Sequence, residues 1–273
     1  MSKLDELLRE LCPDGVETFP LEECCNILDK KRKPVTKNSR EKGEYPYYGA
    51  NGVQDYVSDY IFNGKFVLVG EDGSVITKSG TPVVTWAEGK IWVNNHAHVI
   101  EEKSGTMLRY LYFYIQTIDV TSLIHGNIPK LTGRDFRSLK IALPPLEIQR
   151  EIVSILDNFT ELTAELTAEL TARKTQYTYY RDKLLANSYK GEIKQLEECC
   201  DSIADGDHQA PPKADSGVPF ITISDIDERH EINLNVTKYV PDEYYNRLAD
   251  KRRPQKGDVL YTCLLYTSDA ADD

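Results

Sequence analysis

No stretch of this sequence approaches the roughly 18–20 consecutive apolar residues that a membrane-spanning helix needs. The first ten residues, Met1-Ser2-Lys3-Leu4-Asp5-Glu6-Leu7-Leu8-Arg9-Glu10, interleave acids, bases and leucines without the apolar core of a signal peptide. We therefore expect a cytoplasmic protein with no membrane partner. Cysteine is present but badly spaced for a metal. Cys24-Cys25 and Cys199-Cys200 are adjacent, Cys12 and Cys263 stand alone, and none has the short gap that lets two thiolates grip one zinc. Buried reduced thiols are expected, and no metal. There is no Gly-x-x-x-x-Gly-Lys phosphate loop, and no Asn-Pro-Pro-Tyr or Asp-Pro-Pro-Tyr motif; Asn127-Ile128-Pro129 is not a substitute. These absences argue against an independent nucleotide-hydrolysing or methyl-transferring enzyme.

A basic excess is also missing, since the formal net charge is −11. Residues 1–145 hold 18 basic and 19 acidic side chains, 146–195 hold 7 and 8, and 196–273 hold 8 and 17. The acidity therefore belongs to the last stretch and does not exclude an anionic partner for the first. Two local basic clusters stand out: Lys30-Lys31-Arg32-Lys33 with Lys37, Arg40 and Lys42, and Lys130, Arg134, Arg137 and Lys140. Such clusters are as often plain solvated faces. With 40% hydrophobic and 28% charged residues, the 273-residue chain is expected to bury a real core, with length for two domains.

One segment recurs. Leu21-Glu22-Glu23-Cys24-Cys25 and Leu196-Glu197-Glu198-Cys199-Cys200 lie 175 positions apart, a distance suited to two copies of a whole domain. Between them, no Gly or Pro occurs from Leu146 to Lys190. Ile152, Leu156, Phe159, Leu166, Leu170, Tyr177, Tyr180 and Leu184 recur at spacings of three, four and seven, and Leu-Thr-Ala-Glu repeats at 162–165 and 166–169. This predicts one long helix whose apolar stripe needs a partner helix. Thr163, Arg173 and Gln176 near the seam make it an imperfect coiled coil.

Residues 15–143 read as a strand-rich α/β domain. Phe66-Val67-Leu68-Val69 is a short buried strand, and 82–86 and 90–93 flank Ala87-Glu88-Gly89 as an expected hairpin. Asn94 to Ile100 reads as a strand with His96 and His98 on one face, and Met107 to Gln116 as a helix. The two histidines suit a hydrogen-bonded structural role, with contact to an anionic partner or metal ligation as alternatives.

The run Asn127-Ile128-Pro129-Lys130-Leu131-Thr132-Gly133-Arg134-Asp135-Phe136, followed by Leu139-Lys140-Ile141-Ala142-Leu143-Pro144-Pro145-Leu146-Glu147-Ile148-Gln149, resembles a junction in the specificity subunits of type I restriction-modification systems. Tyr45-Pro46-Tyr47-Tyr48-Gly49-Ala50-Asn51-Gly52, Asp72-Gly73 and Arg181-Asp182-Lys183-Leu184-Leu185 are similar to that family as well. So are Val218-Pro219-Phe220-Ile221 and Lys256-Gly257-Asp258-Val259-Leu260 in the second copy. The resemblance implies an α/β (α+β) fold: a first target recognition domain at 1–145, a conserved-region helix at 146–190 and a partial second recognition domain at 191–262. Residues 263–273 depart from the family pattern and read as a non-native tail, so the natural chain is expected to continue past Thr262.

The resemblance further implies a non-catalytic reader of double-stranded DNA that recognises half of a split target and scaffolds methyltransferase and restriction subunits. S-adenosylmethionine, ATP and Mg²⁺ would bind those partners, with no cofactor on this chain. Self-association through the long helix is a further expected use. For phosphates, residue chemistry nominates Lys31, Arg32, Lys33, Lys37 and Arg40, with Lys130 and Arg134 near the backbone. For bases or sugars it nominates Tyr47, Tyr48, Asn51 and Gln54. Two alternatives stay open: a coiled-coil interaction scaffold without DNA binding, and the recognition domain of a fused restriction-methylation enzyme.

Overall fold

The structure is a computed structural model, and it describes residues 2–73, 75–124, 127–187, 193–204, 211–227, 231–233, 235, 238–249 and 252–261. The expected tail at 263–273 lies outside these residues. The chain divides into two compact units, Met1–Tyr177 and Thr178–Asp273.

The first unit opens with α1 (Lys3–Leu11), started by a capping box between Ser2 and Asp5. Then follow β1 (Thr18–Pro20), α2 (Leu21–Cys24), β2 (Asn26–Ile27), β3 (Lys42–Gly49), β4 (Gly52–Val57), β5 (Phe62–Gly70), β6 (Val84–Val93) and β7 (Ala97–Glu101). After them come α3 (Leu108–Ile115), α4 (Gly133–Ser138), β8 (Lys140–Ala142) and the long α5 (Leu146–Asn187). Six strands form one sheet in the order β2-β7-β5-β6-β3-β4, antiparallel throughout except for β3 beside β6.

The apolar run Phe66-Val67-Leu68-Val69 occupies the central strand β5 and is buried on both faces. Val67 and Val69 face a core built with α2, α3 and α4, whose largest members include Leu21, Leu111, Phe136 and Ile141. Phe66 and Leu68 face a second cluster with Phe62, Ile91, Val93 and Val99. The expected hairpin at 82–93 is corrected: β6 runs unbroken through Ala87-Glu88-Gly89, which pair with Phe66, Lys65 and Gly64. Gly89 (φ +87°) faces Gly64 (φ +154°), so positive-φ backbone is absorbed between two glycines instead of reversing the chain.

The two ends of the domain meet. Thr18 pairs with Ala142 and Pro20 with Lys140, and the Leu21 N–H donates to the Leu139 carbonyl at 2.8 Å. This clasp buries Leu21, the first residue of the repeated pentapeptide.

Pro144-Pro145 ends the strand region, and α5 begins at the next residue as expected. Its first turns are packed: Ile148, Gln149 and Val153 are buried. Arg109 of α3 binds Asp157 at 2.7 Å while lying 4.6–5.0 Å from the rings of Tyr112, Phe113 and Trp86. Beyond Asn158 the described side chains of α5 are exposed, including Phe159, Leu162, Leu166 and Leu170. Thr163, Thr167, Thr171 and Thr175 each donate their hydroxyl to the carbonyl four residues back, which satisfies them inside the helix. At 1.5 Å per residue the 42-residue helix is about 63 Å long.

In the second unit, β9 (Val218–Pro219) pairs antiparallel with β10 (Tyr239–Val240), and α6 spans Asp242–Arg247. Leu196-Glu197-Glu198 forms a single 3₁₀ turn after an extended Gln195, much as α2 follows an extended Pro20. The surroundings differ: Leu21 is fully buried, while Leu196 is 71% exposed. The thiols correct the expectation of uniform burial. Cys24 and Cys25 are buried, but Cys199 and Cys200 are exposed.

Candidate nucleic-acid interface

Four loops converge at one edge of the first unit. They are the β3–β4 turn at Ala50-Asn51, the Asp72-Gly73 segment after β5, the Asn94-Asn95-His96 turn before β7, and Ile128–Lys130 ahead of α4. Backbone hydrogen bonds stitch them together: Gly73 N–H to Pro129 O (3.0 Å), Leu131 N–H to Glu71 O (2.8 Å), Glu71 N–H to His96 O (2.8 Å) and Asn94 N–H to Tyr48 O (3.0 Å). They enclose an open cleft of 390 Å³ lined by Ala50, Asn51, Gln54, Asp72, Gly73, His96 and Ile128. His96 pairs with Asp72 on its wall.

Beneath the cleft lies an ion-pair network in which His98 is buried and Asp29, Arg32 and Glu71 are partly buried. His98 places Nδ1 2.7 Å from Asp29 Oδ2 and Nε2 3.1 Å from the Leu131 carbonyl. Both ring nitrogens of His98 are thereby engaged by oxygen atoms of the surrounding loops. Arg32 binds Glu71 at 2.6 Å and the Ala97 carbonyl at 2.7 Å, with Asp29 at 3.6 Å. Burial pushes the Asp29 carboxyl up, but hydrogen bonds from His98 and the Val99 N–H, with Arg32 nearby, hold it below its ordinary value.

Asp29, Glu71 and His98 bring three potential metal ligands within 4.8 Å, a grouping that the sequence did not reveal. The Arg32 guanidinium already neutralises both carboxylates and His98 is engaged at both nitrogens. The arrangement therefore suits a closed ion-pair network better than a cation site.

The structure sorts the nominated residues. Asn51 and Gln54 line the cleft, and Lys130 sits beside it, 3.4 Å from Glu71 and 3.9 Å from Asp72. Lys31, Lys33, Lys37 and Arg134 are exposed. Lys33 is anchored through its backbone, which accepts from Trp92 Nε1 at 2.7 Å and donates to the Val93 carbonyl. Arg40 is half-buried, bound to Asp55 at 3.2 Å and stacked 4.1 Å from the Tyr47 ring.

Three nominations are corrected. Arg32 belongs to this partly buried network, and with 12% of its side chain exposed and its guanidinium bound to Glu71 it has no free face for a phosphate. Tyr47 is buried, with its hydroxyl held by the Val35 N–H at 3.0 Å. Tyr48 is likewise a core residue, its phenol pushed upward by burial. The two histidines do not share a face either: β7 starts at Ala97, leaving His96 exposed in a turn while His98 is fully buried. Asn94 Oδ1 accepts the His96 N–H at 2.8 Å and fixes that turn. Sequence reasoning missed Asn94, Asp72 and Ile128 as members of the cleft region. The Asp72-Gly73 pair was the one available signal.

This is a strand-rich domain presenting a loop-built polar cleft and leading into a long helix with an uncovered stripe. Its fold is shared with a chain of a solved structure described as "Structural basis underlying complex assembly and conformational transition of the type I R-M system" (TM-score 0.50, 17% identity, covering 70% of this chain and 51% of that one). Residues 13–173 match the family described as Type I restriction modification DNA specificity domain, and the chain belongs to that family. It is 37% identical over 260 residues to a putative type I restriction enzyme specificity subunit of Haemophilus influenzae, covering 90% of this chain and 64% of that protein. It is 58% identical over 139 residues to the EcoprrI specificity subunit of Escherichia coli, covering 50% of this chain and 31% of that one. The chain thus spans less than two thirds of the length of these relatives. Among the described residues, no helix is long and apolar enough to cross a membrane.

Proposed function

We propose that this chain is a non-catalytic, cytoplasmic DNA-reading subunit of a type I restriction-modification system. The observation that carries this reading is the meeting of Asn51, Gln54 and Lys130 at one loop-built cleft in a domain of the DNA specificity family. Amide side chains offer the paired donor and acceptor that base edges require. Exposed Lys31, Lys33, Lys37 and Arg134 supply sequence-independent contacts to phosphates. The domain reads one half of a split target. Methyl transfer and cleavage, with their S-adenosylmethionine, ATP and Mg²⁺, belong to methyltransferase and restriction subunits, and the uncovered stripe of α5 is the surface through which the chain engages them or a second copy of itself.

The test is co-expression with a methyltransferase subunit, followed by mapping of adenine methylation in host DNA. A defined methylated motif that depends on this chain is the expected result. A stable complex that adds no methylation, from this chain or from one extended through a complete second domain, overturns the reading in favour of a scaffold without DNA recognition.

A further inference from the structure

Gln54 is held in one orientation by groups that take no other evident part in DNA recognition. The chain of constraint starts from an unambiguous donor. The His96 backbone N–H donates to Asn94 Oδ1 at 2.8 Å, so the Asn94 amide must turn its Nδ2 the other way. That Nδ2 donates to Gln54 Oε1 at 3.3 Å, which fixes which end of the Gln54 amide is oxygen. Asn94 is itself 3% exposed and its own N–H is held by the Tyr48 carbonyl.

A second constraint comes from below. A Cβ built on Gly49 would lie 2.1 Å from Gln54 Nε2 and 2.3 Å from Cδ, so the amide lies directly over this glycine and any side chain there would displace it. Gly49 has no positive φ to account for it; the side chain lying over it does. Gln54 remains exposed on the cleft wall.

We propose that Gln54 is a specificity-determining residue that reads one adenine, and that Asn94 and Gly49 are the residues that position its amide. This deepens the DNA-reading function above and rests on it. With one Oε1 lone pair taken by Asn94, the second accepts from adenine N6, while Nε2 donates to N7, the bidentate pattern that glutamine makes with this base. An amide already oriented loses less freedom on binding than one that must be ordered by the DNA.

The test uses the full chain in complex with its methyltransferase subunit, on duplexes carrying the mapped motif and its single-base variants. Gln54→Ala is expected to lose about 5- to 150-fold of discrimination at one adenine position and to leave the other positions unchanged. Gly49→Ala, which displaces the amide, is expected to weaken the same position. Asn94→Asp, which replaces the donor by an acceptor, is expected to do so as well, yet to add no further loss in a Gln54→Ala background. A merely structural Asn94 would give additive losses, and that result overturns its positioning role. A motif unchanged by Gln54→Ala, or a uniform loss across all sequences, overturns the assignment of Gln54 while leaving the DNA-reading function standing. A wild-type complex that shows no motif overturns both.

Discussion

The side chain of Gln149, on the first turn of α5, grips the backbone of Met107 at the start of α3: its Oε1 accepts the Met107 N–H at 2.8 Å. Its Nε2 donates to the carbonyls of Pro144 (2.8 Å) and Gly105 (3.1 Å), and the residue is fully buried. The glutamine of the Pro-Pro-Leu-Glu-Ile-Gln run is thus a knot tying helix to domain.

Replacing that knot by a similar apolar volume, Gln149→Leu, strands one part-buried N–H and leaves two carbonyls short of a partner. We expect a loss of about 2–4 kcal/mol, read as a shifted denaturant midpoint at unchanged slope. A loss under about 0.5 kcal/mol, the range of an ordinary surface change, contradicts the account.

The basic cluster at 30–33 divides by direction, and salt titration separates the two kinds of residue. Lys31→Ala and Lys33→Ala should each flatten the dependence of log affinity on log salt by about one unit for DNA, with stability unchanged. Arg32→Ala should leave that slope alone and cost about 1–3 kcal/mol of stability, because Glu71 and Asp29 remain partly buried beside a missing hydrogen-bonding cation.

Asp29 carries a pH signature. Its folded carboxyl titrates below its ordinary value, so its stabilising contribution is full above the unfolded carboxylate value of about 3.9 and is lost as pH falls through the folded one. Asp29→Asn should therefore be markedly less stable than wild type at pH 7, with the gap closing in acid. His98, Arg32 and Glu71 are the ionisable groups facing it. Thermal unfolding midpoints of the two proteins from pH 3 to 7 decide the matter, and a gap that widens toward low pH has the wrong sign.

The exposed stripe of α5 makes a different demand. Leu166→Glu with Leu170→Glu, at positions 57% and 56% exposed, should change the stability of the first unit by no more than about 0.5 kcal/mol. The same pair should abolish association with the methyltransferase subunit or with a second copy in sedimentation velocity. Unimpaired association shows that another surface does the docking.

Much of the scaffold was readable because its signals are local. The absence of Gly and Pro from 146 to 190 announced α5, observed over Leu146–Asn187, and the apolar run at 66–69 announced the central strand. The misread hairpin shows the limit of such signals. Gly89 carries a positive φ as a turn glycine would, but its partner across the sheet is another glycine, and only the pairing reveals that the strand continues. The site was harder for the same reason. Asp29, Arg32, Glu71 and His98 meet through the order β2-β7-β5, which no spacing along the chain encodes. Within Lys31-Arg32-Lys33, one tight turn sends the middle side chain inward and its neighbours outward, so composition alone could not tell an interior cation from a surface one. Asn51 and Gln54 were accessible to chemical reasoning because both amides lie at a Gly-flanked turn; Asn94, which holds one of them, was not.

The pairing of Thr18 with Ala142 has a consequence for how such a domain can change. The chain enters and leaves through adjacent doorways, so everything between residues 18 and 142 is a cartridge closed by one short clip and latched to α5 by Gln149 and Arg109. Altering the loops at the cleft need not shift the point from which α5 departs. Natural variation can rewrite the contents of the cartridge while the handle that follows keeps its bearing.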